Sequence, residues 1–99
     1  MKRRMRKLQL GGRPIKMVFR KSLTEEGRPK DEVLEGLWIN EDSTIFISED
    51  QPPAVIMETI IHECIHAVSD QYNLNLNEKK VTLLGKGLHS ILAPFLKKV

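Results

Sequence analysis

Several residue types that commonly define a protein class are scarce in this chain. Its 99 residues include one cysteine, one tryptophan, one tyrosine and three phenylalanines. A single cysteine excludes an internal disulfide, and no segment approaches the roughly 18 apolar residues that span a membrane. The basic N-terminal residues are not followed by the apolar stretch of a secretory signal. We therefore expect a single small cytoplasmic domain with a modest hydrophobic core.

Acidic residues are absent from residues 1–21, which carry nine Lys or Arg. Residues 22–99 carry seven basic and thirteen acidic residues, so charges of +9 and −6 sum to the net +3. We expect residues 1–7 to form a flexible basic arm and residues 8–99 to form one domain. These basic N-terminal residues could bind nucleic acid or an acidic partner, but Phe19 is the only residue among residues 1–21 that could stack on a base. A solvated terminus is therefore favoured.

Four short segments with strand composition precede two longer helical ones. The strands are predicted at residues 8–10, 15–19, 34–39 and 44–48, with a Gly11-Gly12 turn in the first hairpin and a polar loop at residues 22–31. This order predicts an α+β domain in which two helices pack on one face of a mostly antiparallel sheet of about four strands.

The first helix is predicted to begin at Pro52-Pro53 and to run for about 20 residues. A stripe on this helix is expected to face the core: Ile61, Ile65, Val68 and Tyr72. Asn77 is a good N-cap for the second helix, whose last turns are weakened or ended by Pro94.

Residues 62–66 read His-Glu-Cys-Ile-His, the HExxH pattern of zinc metallopeptidases. On a helix, His62 and His66 lie one turn apart on one face, so both can direct a ring nitrogen at one metal ion. Glu63, about 100° round the helix from His62, can reach a metal-bound water as general base. The alternative is two histidines that share a turn by chance. Cys64, about 200° from His62, is expected to be a small buried hydrophobe.

Catalytic zinc usually has three protein ligands, so the two histidines need a partner. Glu78 and His89 are the downstream candidates, but they lie about 16 Å apart along one helix face and cannot bind the same ion. The alternative for Glu78 is an acid favoured by the helix dipole, and for His89 a solvated helix histidine. Spacing alone leaves the choice between them open.

Three other side chains are candidates for supporting roles. Asp70, one turn beyond His66, could orient that imidazole, although a solvent-facing aspartate is the commoner case. Tyr72 or His89 could help to stabilise an oxyanion.

The chain resembles the minigluzincins, minimal HExxH-plus-glutamate metallopeptidase domains, and is most similar to the small versions encoded by phages and prophages. The resemblance covers nearly the whole chain: the Gly11-Gly12 hairpin, Gly36, Ile45-Phe46-Ile47, Pro52-Pro53, residues 59–68, and Glu78 followed by Val81, Leu84-Gly85 and Leu88. It implies one zinc ion per chain, with Glu78 as third ligand beside His62 and His66. It also implies that a peptide substrate can add to the sheet edge at strand 44–48.

We therefore predict a zinc-dependent metallopeptidase that hydrolyses peptide bonds of a protein substrate, with Glu63 activating the water. The closest alternative is an inactive zinc-binding interaction module, for which Glu63 is dispensable. A nucleic-acid-associated protein using the basic arm is a weaker alternative. The sequence leaves the oligomeric state open.

Overall fold

The computed structural model describes residues 4–24 and 34–96. Four strands come first, β1 (Arg4–Leu10), β2 (Arg13–Arg20), β3 (Gly36–Ile39) and β4 (Thr44–Ser48), and two helices follow, α1 (Pro53–Gln71) and α2 (Glu78–Leu96). The domain is therefore α+β, as predicted. Within these two ranges, no helix is long and apolar enough to cross a membrane.

The sheet is mixed, with strand order β1-β2-β4-β3. The β1–β2 and β3–β4 pairs are antiparallel, whereas β2 and β4 run parallel. β4 is consequently paired on both sides and offers no free backbone groups to a further strand. The prediction that a peptide adds to the sheet at residues 44–48 is therefore wrong. Among the described strands, the edges belong to β1 and β3.

β1 begins earlier than the sequence suggested. Residues 4–7, expected to belong to a flexible arm, pair with β2 in a register that runs from Arg4 opposite Phe19 to Lys7 opposite Lys16. These basic residues can belong to a strand because the side chains of residues 5–9 on this edge strand are exposed, and an exposed strand edge tolerates charged groups. The remaining predicted arm residues 1–3, and most of the predicted polar loop, lie outside the described residues.

The core lies between the sheet and α1. It contains alternating residues of β2 and β4 together with one α1 residue, namely Ile15, Met17, Phe19, Ile45, Ile47 and Ala67. Ile56, Ile60 and Cys64 of α1 pack against this cluster. Cys64 thus behaves as the expected hydrophobe, and burial, assisted by the charge of Glu63, raises the pKa of its thiol.

The predicted core stripe of α1 is not the stripe that faces the sheet. Residues 56, 60, 64 and 67 do so, while Ile65 is buried outside the sheet cluster and Tyr72 is 53% exposed. α1 packs against both the sheet and α2, so its apolar residues occupy two sides and no single stripe defines the core.

The connection between the helices fixes where α2 begins. Asn73 and Asn75 adopt positive φ, and the Leu76 N–H donates to Ser69 Oγ at 3.0 Å, which ties the linker to α1. The Lys80 N–H donates to Asn77 Oδ1 at 2.9 Å, so the predicted N-cap is confirmed. Glu78 is therefore the first residue of α2, which continues past Pro94 to Leu96.

Candidate metal centre

α1 presents two imidazoles on one side of the domain. His62 and His66 lie one turn apart, with ring centroids separated by 5.0 Å and planes inclined by 64°. Their side chains are 23% and 28% exposed, so both rings are accessible from solvent yet held by neighbouring atoms. Each directs Nε2 towards the same carboxylate, that of Glu78.

Glu78 bridges the two imidazoles from the first turn of α2. Its Oε1 lies 2.7 Å from His62 Nε2 and its Oε2 lies 3.0 Å from His66 Nε2. One donor atom from each of the three residues lies within 4.8 Å of the others. His62, His66 and Glu78 therefore form a group that could hold a metal ion.

The spacing and chemistry of this group fit zinc. Zinc binds imidazole nitrogen and carboxylate oxygen at about 2.0–2.2 Å, so tetrahedral ligand atoms lie about 3.3 Å apart. The nitrogen–oxygen distances of 2.7 and 3.0 Å need only a small outward movement to match this value. Two imidazoles and one carboxylate are also a known ligand set of catalytic zinc.

His89 belongs to a different cluster. Its Nδ1 lies 3.9 Å from Glu58 Oε1, while Lys86 Nζ lies 3.6 Å from Glu58 Oε2. α2 passes close to His62 at Gly85, where an added Cβ would lie 3.7 Å from the His62 Cα. The structure therefore brings Glu78, rather than His89, to the histidine pair.

Glu63 lies beside this group without joining it. The residue is 8% exposed, and its carboxylate accepts a hydrogen bond from the Trp38 backbone N–H. The pKa of Glu63 is raised to about 7, chiefly by burial; the charge of His62 opposes the rise, the Glu78 carboxylate adds to it, and the Trp38 hydrogen bond opposes it. A carboxyl with this pKa can both take and give a proton near neutral pH.

β3 passes directly over Glu63, which explains the glycine at residue 36. A Cβ added to Gly36 would lie 2.6 Å from Thr59 Cγ2 and 2.9 Å from Glu63 Cγ, closer than side chains tolerate. In the sequence, only the family resemblance indicated that Gly36 matters. Its role in the structure is to let the β3 backbone approach α1.

A cleft of about 520 Å³ lies between β3 and the histidines. It is lined by Leu34, Gly36, Leu37, Trp38, His62, Glu63, His66 and Glu78. A neighbouring hollow of about 310 Å³ extends past Gly36 towards Glu58 and Thr59. The candidate metal group and Glu63 thus share one open cavity, and β3 forms part of its wall.

Trp38 is the residue of this cleft that the sequence analysis missed. Its indole Nε1 donates to Asp70 Oδ2 at 2.7 Å, and the Arg13 guanidinium lies 5.3 Å from the ring centroid. Arg13 in turn donates to the Asn40 carbonyl at 2.7 Å. A lone tryptophan in a predicted strand next to the HExxH helix was the available signal.

The three predicted supporting residues lie elsewhere. Asp70 is exposed, as a solvent-facing helix residue should be, but its partner is Trp38, and no hydrogen bond joins it to His66 within the described ranges. Tyr72 lies against the β1–β2 turn, where a Cβ on Gly11 would collide with its hydroxyl. Neither Tyr72 nor His89 lines the cleft, so the structure does not support them as oxyanion helpers.

No family model, curated protein or solved structure matches this chain. The function is therefore inferred from the residues and geometry of the site.

Proposed function

We propose that this chain is a zinc-dependent peptidase of the gluzincin type, with one zinc ion held by His62, His66 and Glu78. The convergence of these three donors beside a buried glutamate, in an open cleft, is the observation that carries the proposal. The resemblance to minigluzincins points to the same chemistry.

Zinc, when bound, would supply a water molecule whose pKa is near 7 instead of 15.7. Glu63 has the position needed to accept the proton of such a water, since it lines the same cleft as the three donors. It would then deliver that proton to the leaving amine, so one carboxyl serves as base and acid in turn. The Trp38 backbone N–H holds the Glu63 carboxylate in place during both steps.

The substrate would be an extended protein segment lying along β3. This strand replaces residues 44–48 as the docking edge, because among the described strands it pairs with β4 alone and its residues line the cleft. A peptide that adds to such an edge is held through its backbone, and side-chain pockets select its sequence. Leu34, Leu37 and Trp38 make the wall largely apolar, which favours apolar substrate side chains near the cleaved bond.

The test combines metal analysis with cleavage of a mixture of unstructured peptides, with new peptide ends identified by mass spectrometry. The wild-type chain should carry one zinc ion and cleave in a zinc-dependent manner. Glu63→Gln should keep the ion and lose cleavage, whereas Glu41→Gln, the same change in the exposed β3–β4 turn, should keep both the ion and the cleavage.

Two results would contradict this proposal. Failure of the purified chain to bind zinc would exclude the metal site, and cleavage that survives in Glu63→Gln would exclude Glu63 as the base. Zinc binding without cleavage of any peptide would favour the inactive zinc-binding module instead.

A further inference from the structure

α2 carries an exposed apolar surface, which we call the outer α2 face. Its members are 38–69% exposed: Leu83, Leu84, Leu88, Ile91, Leu92 and Phe95. Val81 and Gly85 of α2 are buried, and Gly85 lies against His62 of α1. A groove of about 490 Å³ runs along the outer α2 face between Lys80 and Ile91.

The apolar area of this face is sufficient for a subunit interface. Six large side chains, about half exposed on average, leave on the order of 550 Å² of apolar surface at roughly 180 Å² each. The largest apolar patch on a typical monomer covers about 300–600 Å². A stable interface buries about 800 Å² per partner, of which about 65% is apolar in homodimers. The outer α2 face supplies that apolar part.

Gly87, at the centre of the face, independently indicates a close helix neighbour. A glycine inside a helix is less stable than alanine, and a Cβ added at residue 87 would have nothing within 4 Å. The described residues of one chain therefore give no steric reason for glycine at this position. A small residue between large apolar ones is what allows a second helix to approach closely.

We propose that the outer α2 face is a homodimer interface in which α2 packs antiparallel against α2 of a second copy. We place the two-fold axis between Gly87 and Leu88. Two residues then lie opposite each other across the interface when their numbers sum to 175. Leu84 then faces the partner's Ile91, and Leu88 fills the space above the partner's Gly87. Large residues thus meet small ones at the axis, as ridges-into-grooves packing requires.

Charge favours the antiparallel arrangement over the parallel one. Lys80 lies near the N-terminus of α2, and the antiparallel register sets it beside the partner's Phe95 and the negative end of the partner's helix. A parallel register would instead set Lys80 against the partner's Lys80. Either arrangement leaves the cleft open, because Glu78 points towards α1. The dimer does not depend on the proposed peptidase activity.

Sedimentation or light scattering on the whole chain, over concentrations up to about 0.5 mM, tests the proposal. The expected mass is twice the chain's 11.4 kDa, with a dissociation constant on the order of 1–10 μM. Ile91→Glu should raise this constant at least about 100-fold, since the change occurs twice per dimer. The control is Leu74→Glu, which alters a 51% exposed leucine outside the face and should shift the constant by less than about 3-fold.

Two further comparisons test the centre and the direction of the interface. Gly87→Ala should raise the dissociation constant at least about tenfold even though alanine favours the helix. Phe95→Glu should dimerise more tightly than Phe95→Lys, because only glutamate complements the partner's Lys80 in the antiparallel register. A chain that stays at 11.4 kDa throughout, or a dimer insensitive to Ile91→Glu, overturns the proposal. Equal dimerisation of the two Phe95 variants overturns the antiparallel register.

Discussion

Burial of Glu63 makes the stability of the metal-free protein depend on pH in a defined direction. The folded structure raises the pKa of this carboxyl from 4.5 to about 7, so the folded state retains a proton that the unfolded chain has lost. The stabilisation is fully present below pH 4.5 and is lost as the pH rises through 7. At 1.36 kcal/mol per pKa unit, the loss attributable to Glu63 is about 3 kcal/mol.

Glu63→Gln removes this titration while retaining nearly the same volume. We expect the variant and the wild type to have similar free energies of unfolding near pH 4.5, and the variant to be more stable by about 3 kcal/mol at pH 8. Urea unfolding in the presence of a chelator, repeated at intervals of pH, measures the difference, and the other titrating groups largely cancel from it. The exposed Glu41→Gln is the matched control. A difference that does not grow between pH 5 and pH 8 would refute the argument from burial.

Three shorter predictions concern the ligands, the β3 approach and the tryptophan anchor. Glu78→Ala should lower zinc affinity at least about 100-fold and His89→Ala less than about 3-fold, as measured by competition with a chromogenic chelator; the reverse order would move the third ligand to His89. Gly36→Ala should cost about 1–3 kcal/mol in urea unfolding, because the added methyl meets Thr59 and Glu63, and an unchanged midpoint would contradict the close approach. Asp70→Asn should cost about 1 kcal/mol and shift the emission of Trp38, the single tryptophan of the chain, whereas an unchanged spectrum would argue against their hydrogen bond.

The local elements could be predicted from the sequence, but their partners could not. Residues 44–48 form a strand with the predicted bounds because Ile45 and Ile47 alternate with polar or half-buried neighbours. The parallel pairing of β2 with β4 leaves no comparable local signal, since it depends on a crossover between segments far apart in the chain. For the same reason, the edge position of β3 had to come from the structure.

The candidate site shows the same division. The i, i+4 spacing was enough to place His62 and His66 on one face of α1, because a helix fixes that geometry locally. The choice between Glu78 and His89 depends on the start of α2 and on how α2 crosses α1, which the Asn73–Asn77 linker and the approach at Gly85 determine. Trp38 was not predicted as a site residue, because no local pattern indicates that a strand residue will lie beside a helix glutamate.

β3 couples the position of the base to the position of the substrate edge. A strand of four residues paired on one side is weakly held by its own backbone, and Trp38 supplies the missing attachment. Its amide binds Glu63, its indole binds Asp70 at the other end of the same helix, and Arg13 of β2 covers its ring. Trp38→Phe would remove the hydrogen bond from the indole to Asp70 and leave the hydrogen bond from the residue 38 amide to Glu63 intact. Asp70→Asn would likewise weaken only the indole hydrogen bond. If the indole bond serves only to anchor β3, both variants should therefore reduce stability while the pH dependence caused by Glu63 persists.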